Sequence, residues 1–273
     1  MQTQTAVSPD GTAISYTSRG GGPGLVIVPG LGRMAHHYND LADLLAIDFT
    51  TYVIERRGRG ESGGQGENYC IEREAEDVRS LLRETGTTRL FGHSYGGLIG
   101  LHAVLEGCSL EQLAVYDPGV SVNGSIPEEW WPGFEKAYRH GDSVTAQALM
   151  LRGLRLNALC TLPLPLVKLL ARLILTGKDG AENTAVMTTF SAELREIFRL
   201  DSTGERYKSV TVPTLLTGGA KSPDYFRTAL DALQSYLPDA QRVSIPKLEH
   251  NAPDLNAPRV IAEHLRSFFL ATP

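Results

Sequence analysis

Between a short β-type run and a helical stretch the chain reads Gly92-His93-Ser94-Tyr95-Gly96-Gly97, a serine flanked two residues away on each side by glycine. A serine raised on a tight strand-to-helix bend needs small neighbours, because larger ones collide with the turn that lifts its hydroxyl above the sheet. The amino end of the helix behind it favours the negative charge that develops when the hydroxyl attacks a carbonyl. A glycine-serine turn is common by itself; its place between strand and helix gives this one chemical meaning.

A serine hydroxyl is a weak nucleophile and needs a general base. Of the seven histidines, His93 adjoins Ser94 and is expected to point away into the sheet packing. His102 and His264 fall on helical stretches and His140 in a helix-prone region, where a surface or core role suffices. His36 and His37 follow a glycine-rich loop and could line the pocket from there, but a solvated position is the preferred reading. His250 lies in the loop Lys247-Leu248-Glu249-His250-Asn251-Ala252-Pro253, after the last expected strand and at the same sheet edge as Ser94. Serine early and histidine late is a chain order that suits a nucleophile-base pair. The oxygen of a tetrahedral intermediate then needs two donors. The expected ones are the backbone N–H of Tyr95 and that of Leu31, in Pro29-Gly30-Leu31-Gly32, where glycine lets the backbone approach closely.

Short apolar, β-rich runs alternate with helical periodicity, which predicts a mainly parallel sheet covered on both faces. Strands are expected at 14–17, 25–28, 51–55, 89–92 and 112–116, and again at 214–217 and 242–245. Helices are expected at 38–46, 70–84, 95–106, 222–237 and 258–270. The helix at 70–84 rests on Ile71, Ala75, Val78, Leu81 and Leu82 at helical spacing. The alternation stops between about Pro118 and Ser209, a helix-prone stretch with Trp130, Trp131 and many leucines. An insertion of this kind predicts a helical cap after the sixth strand, giving a core of residues 1–117 and 210–273 and a cap of 118–209.

With these features in place the sequence resembles the α/β-hydrolase family, in particular its capped bacterial esterase and thioesterase-like members. The resemblance rests on the Pro-Gly-Leu-Gly loop, the segment Arg56-Arg57-Gly58-Arg59-Gly60-Glu61-Ser62, the Ser94 bend and the late His250. It implies an α/β-hydrolase fold and a triad completed by a carboxylate. The arginine segment resembles the family's turn after the fourth strand and is read as structural; a phosphate cradle would need a P-loop lysine pattern, which is absent. Pro29 stands where many members have histidine. Most members carry the acid after the strand matching 214–217, but Ser222 occupies that place here and Asp224 follows two residues on. Other members carry it after the preceding strand, where this chain has Asp117. Asp117 is therefore preferred, Asp224 is the alternative acid, and Glu249, adjacent to His250, ranks last.

The implied reaction is acyl transfer to water. The expected substrate is a small molecule, an ester, thioester or lactone with a medium-sized hydrophobic part, and Trp130 and Trp131 are expected to line its pocket. A lyase, carbon–carbon hydrolase or acyltransferase on the same scaffold is one alternative, and a non-catalytic ligand-binding protein is another. An aspartate-nucleophile dehalogenase or epoxide hydrolase is disfavoured, because serine supplies no carboxylate. No metal or organic cofactor is expected. A formal net charge of -5 and no basic run argue against nucleic acid. The apolar stretch at 162–175 is broken by Pro163, Pro165, Lys168 and Arg172, so no membrane span is expected. The three cysteines lack metal-ligand spacing and, with a polar N-terminus, point to the cytoplasm. Oligomeric state is not legible.

Overall fold

The computed structural model describes residues 2–156 and 158–271. Met1 and residues 272–273 at the ends of the expected core, and Asn157 within the expected cap, lie outside the described residues. The strands are β1 (Gln2–Val7), β2 (Ala13–Gly20), β3 (Gly24–Val28), β4 (Thr50–Ile54), β5 (Arg89–His93), β6 (Gln112–Tyr116), β7 (Thr214–Gly219) and β8 (Ala240–Ile245). The helices are α1 (Asn39–Leu45), α2 (Ile71–Thr85), α3 (Tyr95–Leu105), α4 (Trp131–Arg139), α5 (Ser143–Leu154), α6 (Leu164–Thr176), α7 (Gly180–Arg199), α8 (Asp224–Tyr236) and α9 (Pro258–Phe269).

The strands form one sheet in the order β1-β2-β4-β3-β5-β6-β7-β8. Pairing is parallel from β4 through β8, and antiparallel where β1 meets β2 and β2 meets β4. The central strands are apolar throughout because both their faces are covered. Along β3, Leu25 and Ile27 pack with α1 and α9, through Leu41, Leu45, Ile261 and Leu265. Val26 and Val28 face the other way, toward Val78 of α2, Leu98 of α3 and Leu230 of α8. A run without polar alternation is what a doubly covered strand requires.

β1 was not foreseen. Its sequence, Gln-Thr-Gln-Thr-Ala-Val, is mostly polar, and its strand character comes from pairing with β2 from Gln2↔Ser18 to Val7↔Ala13 at the sheet edge. The helices α4 to α7 occupy the stretch between β6 and β7 where the alternation lapses. No described helix is long and apolar enough to cross a membrane.

The bend at Ser94 is built from backbone constraint. Ser94 sits between β5 and α3 with φ 56° and ψ -121°, a conformation that is costly for a residue with a Cβ. A side chain at Gly96 would collide with the Val28 carbonyl, and one at Gly92 with the Gly96 carbonyl. Ser94 N–H donates to Tyr116 O at 2.9 Å and Gly119 N–H donates to Ser94 O at 2.8 Å, which stitches the bend to the end of β6.

Candidate active site

At the carboxyl ends of β5, β6 and β8 three side chains meet. Ser94 Oγ lies 3.1 Å from His250 Nε2, and His250 Nδ1 lies 3.2 Å from Asp117 Oδ2. An ionised carboxylate only accepts, so Nδ1 carries the proton and donates to Asp117. Nε2 is then left to accept from the Ser94 hydroxyl. Asp117 follows β6 at φ 43°, is buried, and its Oδ2 also accepts from Ser222 Oγ at 2.5 Å. Ser222 thus stands beside the carboxylate rather than replacing it. Asp224 opens α8 with its side chain 84% exposed and paired to Arg227 at 2.9 Å; it makes no contact with His250. Glu249 contributes its carbonyl, which accepts from Tyr116 Oη at 2.8 Å.

The His93 ring is buried against Tyr38 and Tyr116, in keeping with the expected packing, but it also lies beside His250, with centroids 4.8 Å apart, which was not foreseen. His93 Nε2 is 2.9 Å from the His250 carbonyl, and a carbonyl can only accept, so Nε2 is protonated and donates. Nδ1 therefore accepts from Tyr38 Oη, 2.6 Å away, and Tyr38 Oη in turn accepts the Gly30 N–H at 3.1 Å. One string of hydrogen bonds thus joins the Gly30 loop, the end of β5 beside Ser94 and the loop bearing His250. Burial holds the His93 imidazole well below its usual pKa, so it stays neutral. Phe226 of α8 stacks on the outer face of His250 at 4.3 Å and 10°.

The Gly30 loop crosses close to Ser94: a Cβ on Gly30 would lie 3.0 Å from Ser94 Cβ. Among the described residues no acceptor takes the backbone N–H of Leu31 or of Tyr95. The loop's conformation is held by the arginines. Arg56 Nη1 and Arg59 Nη1 both donate to Gly30 O, at 3.3 and 3.0 Å, and Arg59 Nη1 also donates to Arg33 O at 2.9 Å. Arg56 is paired with Glu74 of α2, and both Arg56 and Arg59 with Glu193 of α7. Arg57 takes a two-pronged grip on Asp77 at 2.7 Å. The structural reading of this segment holds, and it extends further: the same buried ions fasten α7 to the turn after β4.

A cavity of about 160 Å³ opens over Ser94. Its walls are mostly apolar, with Leu31, Leu154, Leu194, Ile197 and Phe226 prominent; besides Ser94, His93 and His250, the polar exceptions are Arg33, Tyr225 and Asn251. Trp130 and Trp131 are not among its lining residues. Trp130 Nε1 donates to Pro127 O at 2.7 Å, and Trp131 stacks on Phe134 at 5.4 Å, so both serve packing around α4. A larger hollow of about 450 Å³ lies at the opposite end of the strands, near Gln112, Pro213 and Asp239, away from Ser94.

His36 and His37 lie outside this cavity. With Glu182 they form the one group among the described residues close enough for metal ligation. His37 Nδ1 accepts the Met34 N–H at 2.9 Å, so its Nε2 bears the proton and points it toward Glu182 Oε1, 3.6 Å away. A ring nitrogen in that state offers a metal no lone pair, and the cluster is better described as a polar contact between the loop and α7.

Residues 25–264 match the sequence profile of the alpha/beta hydrolase family. An N-formylmaleamate deformylase of Pseudomonas putida is 34% identical over 123 residues, which is 43% of this chain and 46% of that protein. The match thus spans less than half of that relative's length. A 2-(acetamidomethylene)succinate hydrolase of Mesorhizobium japonicum is 21% identical over 257 residues, 93% of this chain and 91% of that protein. Among solved structures, an alpha/beta hydrolase from Sphaerobacter thermophilus superposes with a TM-score of 0.82 at 28% identity, over 97% of this chain and 100% of that one.

Proposed function

The chain belongs to the alpha/beta hydrolase family, and from that premise we propose that it hydrolyses a small acyl compound, an ester, thioester or lactone, with Ser94 as nucleophile. What carries the reading is the string Ser94–His250–Asp117, at 3.1 and 3.2 Å. Ser94 Oγ attacks the carbonyl as His250 Nε2 takes its proton. Asp117 offsets the charge of the imidazolium and fixes its orientation. The backbone N–H groups of Leu31 and Tyr95 receive the oxyanion. The proton then passes from His250 to the leaving group. A water activated by the same imidazole releases the acid and restores Ser94.

Residues 118–209 act in this account as a cap, with Leu154, Leu194 and Ile197 as its face toward Ser94. At about 160 Å³ the cavity is smaller than the ~300–1,000 Å³ usual for ligand pockets. That favours a short acyl part over the medium-sized one expected from the leucine content. The test is turnover of p-nitrophenyl esters of graded chain length by the protein and by Ser94→Ala. Short acyl chains are preferred if the reading holds; equal turnover by both proteins contradicts it.

A second reading keeps the machinery and changes the bond. The deformylase and the acetamidomethylene hydrolase are named for N-acyl substrates, and an amide carbonyl is open to the same attack. Release of amine from formamide or acetamide derivatives, absent in Ser94→Ala, distinguishes it.

A further inference from the structure

Arg33 is the cationic side chain among the residues that line the cavity over Ser94. It comes two residues after Leu31, so the loop proposed to receive the oxyanion also delivers this guanidinium. Its position is fixed from behind. Asp254, buried in the turn after His250, lies 2.5 Å from Arg33 Nε through Oδ2. The Arg33 carbonyl is held by Arg59 Nη1.

A guanidinium has five N–H donors in a planar fork, and Asp254 meets only the Nε side. Among the described residues no acceptor engages Nη1 or Nη2 of Arg33. The side chain is 28% exposed, in a wall otherwise made largely of leucine, isoleucine and phenylalanine. The Nη edge is open to solvent in the empty protein and is free to make charge-assisted hydrogen bonds to a matching anion that enters. A carboxylate is planar, presents two oxygens to the fork, and is compact enough for about 160 Å³.

We propose that Arg33 anchors a carboxylate of the substrate, so that the compound opened at Ser94 is an acid carrying a second, hydrolysable acyl group. The inference rests on the reading of Ser94 as nucleophile for its catalytic consequence, but the binding it describes is separable from turnover.

Two measurements on the full chain test it. In the first, the wild type and Arg33→Gln are titrated calorimetrically with succinate and with uncharged succinamide. The wild type is expected to bind succinate about 10- to 100-fold more tightly than succinamide, a preference that Arg33→Gln loses and Arg33→Lys keeps in part. In the second, kcat/KM is compared for monomethyl succinate and methyl butyrate. The ratio is expected to favour the charged ester and to fall about 10- to 100-fold in Arg33→Gln, mainly through KM.

Succinate binding no tighter than succinamide in the wild type overturns the proposal whether or not any variant folds. So does an ester ratio that Arg33→Gln leaves unchanged. If neither ester is hydrolysed but succinate binds in an Arg33-dependent way, the anchoring stands and the nucleophile reading falls. If Ser94-dependent hydrolysis shows no preference for the charged ester, the reverse holds.

Discussion

His93 Nε2 and the His250 carbonyl are 2.9 Å apart, so the residue next to the proposed nucleophile holds the backbone of the proposed base. The other ring nitrogen reaches Tyr38 and, through it, the Gly30 N–H. His93→Phe keeps a ring in the space but removes both bonds. It leaves the Tyr38 hydroxyl and the His250 carbonyl short of partners, at a cost of about 1–3 kcal/mol each when buried. The expected result is a drop in kcat of about 10-fold or more with little change in KM, and a broadened pH–rate profile as His250 loses its fixed orientation. Steady-state kinetics across pH check this; a profile and kcat matching wild type would show that His93 only fills space.

Asp117 and Asp224 make opposite predictions. Asp117 is buried against His250 and Ser222, whereas Asp224 is an exposed residue at the start of α8. Asp117→Ala is expected to lower kcat by about 10³- to 10⁴-fold, and Asp224→Ala to stay within about twofold of wild type. Ser222→Ala removes one of the two donors on Asp117 Oδ2 and is expected to cost about 3- to 10-fold. Turnover of one ester by all three variants decides the matter, and a large loss in Asp224→Ala alone would reassign the acid.

Glu193 is the shared counter-ion of Arg56 and Arg59, and all three side chains are fully buried. Removing the acid leaves the buried Arg59 without its counter-ion and Arg56 with Glu74 alone, and an uncompensated buried charge costs about 3–5 kcal/mol. Glu193→Ala should therefore lower Tm by on the order of 10 °C and loosen α7 from the sheet. Glu135, half-buried but paired with the largely exposed Arg139 and Arg195, provides the contrast, since pairs with a solvent-exposed partner contribute about 0–1 kcal/mol. Thermal melts of Glu193→Ala and Glu135→Ala test this, and equal shifts would contradict the buried network.

The pH dependence of stability has a defined sign at His102. Burial, with Arg206 adding, pushes this imidazole down from 6.5 to about 4. Because the folded value lies below the unfolded one, the unfolded chain binds the proton first as pH falls. The stability associated with neutral His102 is present above about pH 6.5 and is lost as pH falls toward 4, by about 3 kcal/mol in all. His102→Leu, which also removes a buried Nε2 that has no partner, should lose less stability over that range. Urea unfolding at pH 8 and pH 4.5 measures it; identical losses in both proteins would contradict the assignment.

What was legible in the sequence follows local physics. The Ser94 bend could be read because its glycines are dictated by backbone collisions within a few residues. The central strands could be read because double coverage makes them uniformly apolar. β1 could not, since a polar edge strand owes its form to its partner. The burial of Arg56 and Arg59 escaped notice because their shared acid, Glu193, arrives from well over 100 residues away. Trp130 and Trp131 misled for a related reason: an apolar helix face looks the same whether it meets a cavity or its neighbours. His93 was placed by adjacency alone, and only the folded loop at 247–253 gives its ring something to hold.

The central claim is that the Ser94 hydroxyl is activated by His250. Its most direct measurement is intact-mass analysis after exposure to a fluorophosphonate, for the wild type, Ser94→Ala and His250→Ala. The account predicts one adduct on the wild type, mapped to Ser94, none on Ser94→Ala, and labelling slowed by about 10³-fold or more in His250→Ala. A wild type that stays unlabelled, or a Ser94→Ala variant that gains the same adduct, would contradict it.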